Sequence, residues 1–344
     1  MIRFDCDYTE GAHPKILEKL SMTNYEQTIG YGEDNYCKEA ERIIKEKCGR
    51  QDIDVHFLVG GTQTNLTVIA AALRPYQGAI AATTGHINVH ETGAIEATGH
   101  KVLALNSSNG KLTANQIQDA YDTHFNDPSA EHMVQPKLVY ISNPTEIGTI
   151  YSKAELTALS QTCKKNNLIL YMDGARLGYG LCAEDNDLDL QTIGKLCDAF
   201  YIGGTKIGAL FGEAVVISNE ALKEDFRYLI KQKGGMLAKG RLLGIQFSTL
   251  FEDNLYFKMS KHADEMSMLI KKALIEKGYP FLIESSTNQQ FPIMPDTVLE
   301  KLGKNYVYSY WQRIDGIHSA VRFCTSWATK EENVIKLVES IKSI

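Results

Sequence analysis

The sequence lacks the features that mark membrane proteins and nucleic-acid-binding proteins. Only 8 of its 344 residues are proline, and neither an internal repeat nor a low-complexity tract is present. No apolar run approaches the roughly 20 residues that span a bilayer. Acidic residues (42) outnumber basic ones (36), for a net charge of −6, so nothing indicates the clustered basic surface that nucleic acids and anionic lipids require. We therefore expect neither a nucleic-acid partner nor a membrane partner.

Cysteine pairs of the kind that hold zinc are also missing. The seven cysteines are odd in number, and no two of them form a Cys-x-x-Cys motif. This pattern indicates reduced thiols and gives no metal site or disulfide framework. The first residues, Met1–Asp5, carry acid too early for a secretory signal. We expect a soluble protein of the cytoplasm.

Short apolar runs alternate with helical patterns over the first two thirds of the chain. Such alternation is typical of a mostly parallel sheet that helices cover on both faces, an α/β fold. The last of these runs, residues 215–217, lies close enough in sequence to the run before it, residues 199–202, to form an antiparallel neighbour. The pattern predicts seven strands near residues 55–59, 79–82, 101–105, 138–141, 168–172, 199–202 and 215–217.

After about residue 240 the pattern changes. A long helix over 240–277 is followed by weaker strand signals at 281–283 and 320–323, and a closing helix begins near Lys330. This indicates a second, smaller α+β unit. The sequence predicts an N-terminal arm over 1–13, a large α/β domain over 14–240 and a small domain over 241–344.

Three of the predicted strands end in residues that suit chemistry. Gly61 and Thr62 begin a helix, whose free N–H groups and positive dipole end favour a phosphate. Asp173 follows five apolar residues, and Lys206 stands between the pair Gly203-Gly204 and Gly208 at the end of the next strand. Taken singly, each has a structural explanation, such as a plain turn or a helix cap. In parallel sheets, however, ligands collect beyond the carboxyl ends of the strands.

Together these strand ends provide a phosphate-binding helix N-terminus, a carboxylate and an amine, which are the groups that bind pyridoxal 5′-phosphate. Lysine can hold the cofactor's aldehyde as a free amine. A carboxylate at Asp173 would face the pyridine nitrogen, and an opposite charge within about 4–6 Å raises a basic pKa by about 1–3 units. His86 follows another strand end, where an imidazole can stack on the ring, although a lone histidine is more often structural.

A wider set of motifs runs nearly end to end: Phe4-Asp5-Cys6-Asp7, Tyr31-Gly32-Glu33-Asp34, Gly61-Thr62-Gln63, His86 with Glu91, Asn143-Pro144-Thr145 before Gly148, Asp173-Gly174-Ala175-Arg176, Lys206, Gly234-Gly235-Met236 and Arg322-Phe323-Cys324-Thr325. In these motifs the chain resembles the low-specificity L-threonine aldolases, within the β-eliminating lyase group of fold-type I pyridoxal-phosphate enzymes. The resemblance implies the fold-type I architecture and roles for individual residues. Lys206 would hold the cofactor, Asp173 would bond the pyridine nitrogen, His86 would stack on the ring, and Gly61 and Thr62 would bind phosphate.

The resemblance also implies how the substrate is bound. Arg176, which would also contact the cofactor, and Arg322 would grip the substrate carboxylate, as suits bidentate guanidinium geometry. Cys6 stands where the family has a serine that contacts this carboxylate, and His132 matches a histidine on the side of the substrate hydroxyl. Tyr31 would come from a neighbouring subunit, because family members build the site across a dimer interface and usually form tetramers. A homodimer or homotetramer is therefore expected.

The activity implied is retro-aldol cleavage of a β-hydroxy-α-amino acid, L-threonine or L-allo-threonine, to glycine and acetaldehyde. His86 and His132 are the candidate bases. The alternatives are a pyridoxal-phosphate β-eliminating lyase acting on another amino acid, or a non-catalytic fold-type I protein. A nicotinamide-dependent dehydrogenase ranks last, because the sequence lacks the glycine motif that binds a dinucleotide. Two further departures from the family are Leu237, where an arginine is usual, and Ser326, where a histidine is usual.

Overall fold

Strands and helices alternate along most of the computed structural model, which describes residues 1–344. The strands are β1 Ile2–Arg3, β2 Asp54–Leu58, β3 Gln77–Ala82, β4 Lys101–Leu105, β5 Gln135–Ser142, β6 Ile169–Asp173, β7 Ala199–Gly203, β8 Glu213–Ile217, β9 Gln289–Gln290, β10 Ile293–Pro295, β11 Tyr306–Val307, β12 Ser309–Arg313 and β13 His318–Cys324. The helices are α1 Pro14–Met22, α2 Asn35–Lys47, α3 Gly61–Ala72, α4 His86–Val89, α5 Ala94–Ala97, α6 Ala114–Phe125, α7 Lys153–Lys165, α8 Leu177–Cys182, α9 Leu190–Leu196, α10 Glu220–Lys223, α11 Phe226–Gln232, α12 Arg241–Phe251, α13 Leu255–Glu276, α14 Asp296–Leu302 and α15 Glu331–Ser343.

Seven strands form the main sheet, in the order β2-β8-β7-β6-β5-β3-β4. All are parallel to one another except β8, which runs antiparallel to both of its neighbours. This confirms the predicted seven-stranded α/β fold and the antiparallel seventh strand. The carboxyl ends of six strands therefore meet at one edge. β8 begins at that edge, where Glu213 is paired with Gly203 of β7 and Leu58 of β2.

Both faces of this sheet are buried, which explains why its strands read as continuous apolar runs. Side chains alternate between two cores along each strand, as the two-residue period of a strand requires. In β6, Leu170 and Met172 join one core, whereas Ile169 and Tyr171 join the other. Helices thus shield the sheet on both sides and leave its carboxyl edge as the place where polar side chains gather.

A second, smaller sheet lies in the last third of the chain, as predicted. It has the order β10-β13-β12, with β9 also paired to β13. Its core includes Phe4, because β1 pairs in parallel with β11. The predicted boundary at residue 240 differs from the packing: α12 and the first half of α13, to Ala263, pack into the larger core, and Met266 begins the contribution to the smaller one.

The long helix predicted over 240–277 is two helices. The turn Glu252–Asn254 separates α12 from α13, and within it Asp253 (φ 52°) and Asn254 (φ 56°) adopt the left-handed conformation. Asp and Asn tolerate this conformation better than other side chains do, so a helical hydrophobic pattern can continue across a break made by them.

No helix of the structure has both the length and the apolar character needed to cross a bilayer. All seven cysteines are free thiols. No three histidine, cysteine or acidic side chains are grouped so as to hold a metal ion.

One carboxyl of α13 is buried without a partner. Asp264 is only 5% exposed, and neither of its side-chain oxygens makes a hydrogen bond. Burial raises the pKa of Asp264 well above its usual range. Because an unpaired carboxylate is costly to bury, this residue weakens the fold once it has to ionise.

Replacing Asp264 by Asn should therefore stabilise the protein, by about 1–3 kcal/mol at pH 8. The free unfolded carboxyl ionises near pH 4. The folded one keeps its proton to higher pH, so the gain over the native protein should grow as the pH rises above about 4. Urea unfolding at several pH values measures it. Asp119→Asn, an exposed change of the same kind on α6, is the control. An Asp264→Asn variant no more stable than the native protein at pH 8 would contradict this account.

Candidate active site

Four of the sequence-predicted site residues lie at the carboxyl edge of the main sheet. Gly61 begins α3 shortly after β2 ends, and Asp173 is the last residue of β6. Lys206 lies three residues beyond the end of β7, and His86 begins α4 shortly after β3. Because these strands are parallel, residues that are far apart in sequence come together here.

Asp173 is buried among hydrogen-bond donors. Its Oδ1 accepts from the hydroxyl of Tyr201 (2.5 Å) and from a backbone N–H two residues further on (3.0 Å). Its Oδ2 accepts from Tyr140 Oη (2.7 Å) and Asn65 Nδ2 (3.0 Å). Burial opposes ionisation, but the positive charge of His86 and the Tyr201 hydrogen bond hold the pKa of Asp173 below its usual value. The site thus contains a carboxylate that is negatively charged at neutral pH.

His86 is tied to the same network through Glu91. His86 Nδ1 lies 2.7 Å from Glu91 Oε1, and Asn65 Nδ2 donates both to that oxygen (2.7 Å) and to Asp173. Burial lowers the pKa of His86, but the Glu91 hydrogen bond and the charge of Asp173 outweigh it, so the net shift is upward. Nδ1 is committed to Glu91, which leaves Nε2 available for another group.

Lys206 stands on the connection between β7 and β8. Its Nζ makes no hydrogen bond or ion pair, and the ring of Tyr8 lies 5.9 Å away. The hydroxyl of Tyr179 donates to the Lys206 carbonyl (2.6 Å), which fixes the backbone. Burial, aided by the positive charge of Arg176, lowers the pKa of the Lys206 amine. These surroundings favour an unprotonated amine that is free to react.

Arg176 is already engaged. Its Nε and Nη2 donate to the two oxygens of Asp7 (2.7 and 2.9 Å), and Asn288 donates to Asp7 as well (2.9 Å). Burial opposes ionisation of Asp7, yet the charges of Arg176 and Lys206 hold its pKa at about 2. The bidentate fork that was predicted for a substrate carboxylate is therefore used by Asp7, and Nη1 is the guanidinium nitrogen that stays free.

Arg322 is held in a similar way. Its Nη2 donates to the carbonyl of Asp5 (2.7 Å) and its Nη1 to Gln289 Oε1 (3.1 Å), while its guanidinium lies 5.7 Å from the ring centre of Trp311. Its Nε is buried and has no partner. Cys6 is half-buried nearby, and burial raises the pKa of its thiol, so it is uncharged at neutral pH.

The structure does not bring His132 to this edge within one chain. His132 ends a short turn just before β5 begins at Gln135, whereas Asp173 pairs with Ser142 at the other end of that strand. His132 therefore lies outside the site that a single chain forms, and its role in the site stays a prediction. Tyr31 also lies apart, half-exposed in a turn with φ 61°, where Lys231 Nζ is 5.0 Å from its ring centre.

The donors around Asp173 were not predicted from the sequence. Tyr140 and Tyr201 lie inside apolar strands, and Asn65 lies one turn into α3, where its Oδ1 accepts from Tyr171 (2.8 Å). A signal was present, because a buried tyrosine hydroxyl needs a hydrogen-bond partner. Three tyrosines within adjacent apolar strands therefore indicate a buried polar group between them. Glu91 was noted only as part of a motif.

Comparison with known proteins decides the family. Residues 7–296 match the family model described as β-eliminating lyase. The chain belongs to this family. It is 30% identical to a low-specificity L-threonine aldolase of a Pseudomonas species, an alignment that covers 99% of this chain and 97% of the relative.

Solved structures agree with this membership in the β-eliminating lyase family. A threonine aldolase from Leishmania major superposes with a TM-score of 0.97 at 47% identity and covers 100% of this chain and 99% of its own. Aspartate aminotransferase from Thermus thermophilus gives a TM-score of 0.71 at 14% identity, over 100% of this chain and 91% of its own, and so shares the fold. The fold-type I architecture expected from the resemblance is confirmed.

The cofactor of this β-eliminating lyase is pyridoxal 5′-phosphate, as predicted, and the residues present fit it. The residue that precedes α3 is Gly60, which has no side chain to cap the helix. The first N–H groups of α3 are therefore free for a phosphate. A Cβ at Gly61 would lie 3.0 Å from the Tyr201 hydroxyl, so a larger residue here would press on a side chain that holds Asp173. An ionised Asp173 and an unpartnered Lys206 amine complete the set of donors and acceptors that this cofactor needs.

The Glu91–His86 hydrogen bond leads to a prediction. Glu91→Gln keeps an acceptor for Nδ1 but removes the negative charge, so the pKa of His86 should fall. Histidine-ring NMR of the cofactor-free protein, recorded across pH, measures this. Glu96→Gln, an exposed change in the next helix, should leave the titration as it is. An unshifted His86 in Glu91→Gln would show that Glu91 does not set its charge.

Proposed function

We propose that this chain is a pyridoxal-phosphate-dependent aldolase that cleaves L-threonine or L-allo-threonine into glycine and acetaldehyde. Its similarity to threonine aldolases over its full length supports this activity. The observation that carries the proposal is the unpartnered amine of Lys206 at the same sheet edge as the ionised carboxylate of Asp173. This pairing is what a reaction that stabilises a carbanion on a pyridine ring needs.

The cofactor, when bound, withdraws the electrons of the bond that breaks. We assign its retention to Lys206 and the binding of its phosphate to the α3 N-terminus at Gly61 and Thr62. Asp173 holds a proton at the pyridine nitrogen, because a buried negative charge favours the protonated base. His86, at the start of α4, would stack on the ring, as the resemblance implies.

The substrate carboxylate is assigned to the two arginines. Each keeps one nitrogen without a hydrogen-bond partner, Nη1 of Arg176 and Nε of Arg322, and each is otherwise fixed by protein oxygens. One hydrogen bond from each arginine would then orient the substrate carboxylate, in place of a bidentate pair of hydrogen bonds from a single guanidinium. Cys6 adds at most a weak S–H donor where a serine would give a stronger one.

His86 is the group of this chain assigned to move the proton of the substrate β-hydroxyl. Its Nε2 is free, and Glu91 stabilises the positive imidazolium that forms when it takes up a proton. A positioned proton transfer of this kind contributes about 10²–10⁴-fold to a rate. The arrangement resembles other catalytic histidines that are oriented by a carboxylate on their second nitrogen.

We also propose that the chain works as a homodimer or homotetramer in the cytoplasm. The segment after α1 exposes apolar side chains, with Tyr25 95% and Ile29 68% exposed, and Tyr31 lies at its end. Neighbouring exposed apolar side chains suit an interface with another copy. Seven free thiols suit a reducing compartment.

Incubation with L-threonine tests the activity, with acetaldehyde and glycine measured as products. Lys206→Ala should abolish turnover and the covalent adduct that borohydride traps, because no amine remains to hold the cofactor. Lys195→Ala, an exposed lysine on α9, should behave as the native protein. Pyruvate or sulfide from serine or cysteine, with no acetaldehyde from threonine, would favour β-elimination, the reaction after which the family is described.

Asp173→Asn should lower kcat for threonine by about 10- to 1000-fold, because the ring nitrogen loses the charge that keeps it protonated. Borohydride trapping should still detect cofactor on Lys206. Asp198→Asn is the matched control: Asp198 also accepts a backbone N–H, from Leu170, but lies at the opposite end of the sheet. Full activity in Asp173→Asn would remove Asp173 from the mechanism.

A further inference from the structure

Glu213, a buried carboxyl next to the lysine connection, has no role in the scheme above. It is the first residue of β8, lies between β7 and β2 at the carboxyl edge of the sheet, and is 3% exposed. Its cross-strand partner Gly203 is the last residue of β7. The nine residues between these two, 204–212, form the connection that carries Lys206.

The Glu213 side chain folds back onto that connection. Its Oε2 accepts from the backbone N–H of Gly204 (3.1 Å), and its Oε1 accepts from the hydroxyl of Thr205 (2.8 Å). The Thr205 oxygen in turn accepts from the N–H of Gly212 (3.0 Å). The two ends of the connection are thus joined by a side-chain latch directly before Lys206.

We propose that Glu213 is a positioning residue for Lys206, and that its hydrogen bonds to Gly204 and Thr205 close the connection so that the amine is held at the cofactor. This rests on the proposed role of Lys206. Residues 204–212 must fix an amine to within fractions of an ångström of one reacting atom, and supporting hydrogen bonds are what such placement requires.

The glycines of the connection explain why side-chain restraint is useful there. Gly204 leaves no room for a side chain, since an added Cβ would lie 2.8 Å from the Gly212 carbonyl oxygen, and Gly208 and Gly212 have φ values of +82° and +128°. Glycine lets the chain turn this tightly, but a glycine loses more conformational entropy on folding than other residues do. The backbone N–H groups of Gly204 (2.9 Å) and Thr205 (3.1 Å) also donate to the Gly212 carbonyl, and the carboxyl of Glu213 and the hydroxyl of Thr205 add side-chain restraint to this backbone closure.

The protonation state of Glu213 does not remove its ability to close the latch. Burial raises the pKa of Glu213 to about 8, although the Thr205 hydrogen bond and the charge of Lys206 act in the other direction. A protonated carboxyl can donate to Thr205 with one oxygen and accept from Gly204 with the other. Glutamine has the same pattern of one donor and one acceptor, so it should preserve the latch.

Two pairs of variants test the proposal. Thr205→Val and Glu213→Ala break the latch, whereas Thr205→Ser and Glu213→Gln keep it. Cofactor-free proteins are mixed with pyridoxal 5′-phosphate, and capture is followed by the rise of visible absorbance and by borohydride trapping at Lys206. The breaking variants should capture the cofactor about 10-fold more slowly, the equivalent of one or two hydrogen bonds. The conservative variants should stay within about 2-fold of the native rate.

A second readout does not use the cofactor. Acetic anhydride labelling of Lys206 across pH, read by mass spectrometry, reports the pKa of the amine. In Thr205→Val the labelling midpoint should move up towards that of exposed lysines, because an open connection relieves burial; in Thr205→Ser it should not move. The charges that act on Lys206, those of Arg176, Asp7, Asp173 and Glu213, are unchanged in this pair.

The proposal is overturned if Thr205→Val captures the cofactor at the native rate with an unmoved labelling midpoint, or if Thr205→Ser is as impaired as Thr205→Val. Should Glu213→Ala not fold, the Thr205 pair decides alone. Should the native protein not capture pyridoxal 5′-phosphate, the proposed function fails, and the labelling midpoints of the Thr205 pair still show whether the latch restrains Lys206.

Discussion

The site depends on keeping a negative charge at Asp173 away from water. A buried carboxylate is tolerated only where donors satisfy it, and here they come from β5, β7 and α3, through Tyr140, Tyr201 and Asn65. The carboxylate that we assign to the pyridine nitrogen therefore also fixes how these elements meet at the carboxyl edge. The chemistry and the local packing share one set of hydrogen bonds, so neither can change without the other.

Asn65 extends this constraint to the histidine. Its amide nitrogen lies between Asp173 and Glu91 and donates to both, while Tyr171 donates to its oxygen and so fixes its orientation. Two carboxylates thus act on one imidazole, and their charges raise the pKa of His86 against the effect of burial. The neutral amide of Asn65 joins the two acids without adding a charge of its own.

The residues that follow strands were predictable and those inside strands were not. Asp173, Lys206 and Gly61 could be placed together because the ends of parallel strands share an edge, a rule that needs only the order of strands and helices. Tyr140 and Tyr201 were read as part of apolar runs, since the apolar pattern does not show which side chains converge. His132 is a related case, because a matching motif does not say which end of β5 a residue lies at, and within one chain His132 lies at the end away from Asp173. The break between α12 and α13 was hidden because the hydrophobic spacing continues across Asp253.

The ion pair of Asp7 with Arg176 connects substrate binding to the lysine. Arg176 lowers the pKa of Lys206, whereas Asp7 raises it, so the pair has a smaller net effect than the arginine alone would have. A substrate carboxylate bound at the free Nη1 adds a second negative charge beside the same guanidinium. Because it is negative, this added charge raises the pKa of Lys206 and so favours the protonated amine. Under the roles proposed above, an unprotonated Lys206 captures the cofactor, and the amine that is released when the substrate takes its place can take up a proton. The arrangement of Asp7, Arg176 and Lys206 suits both states.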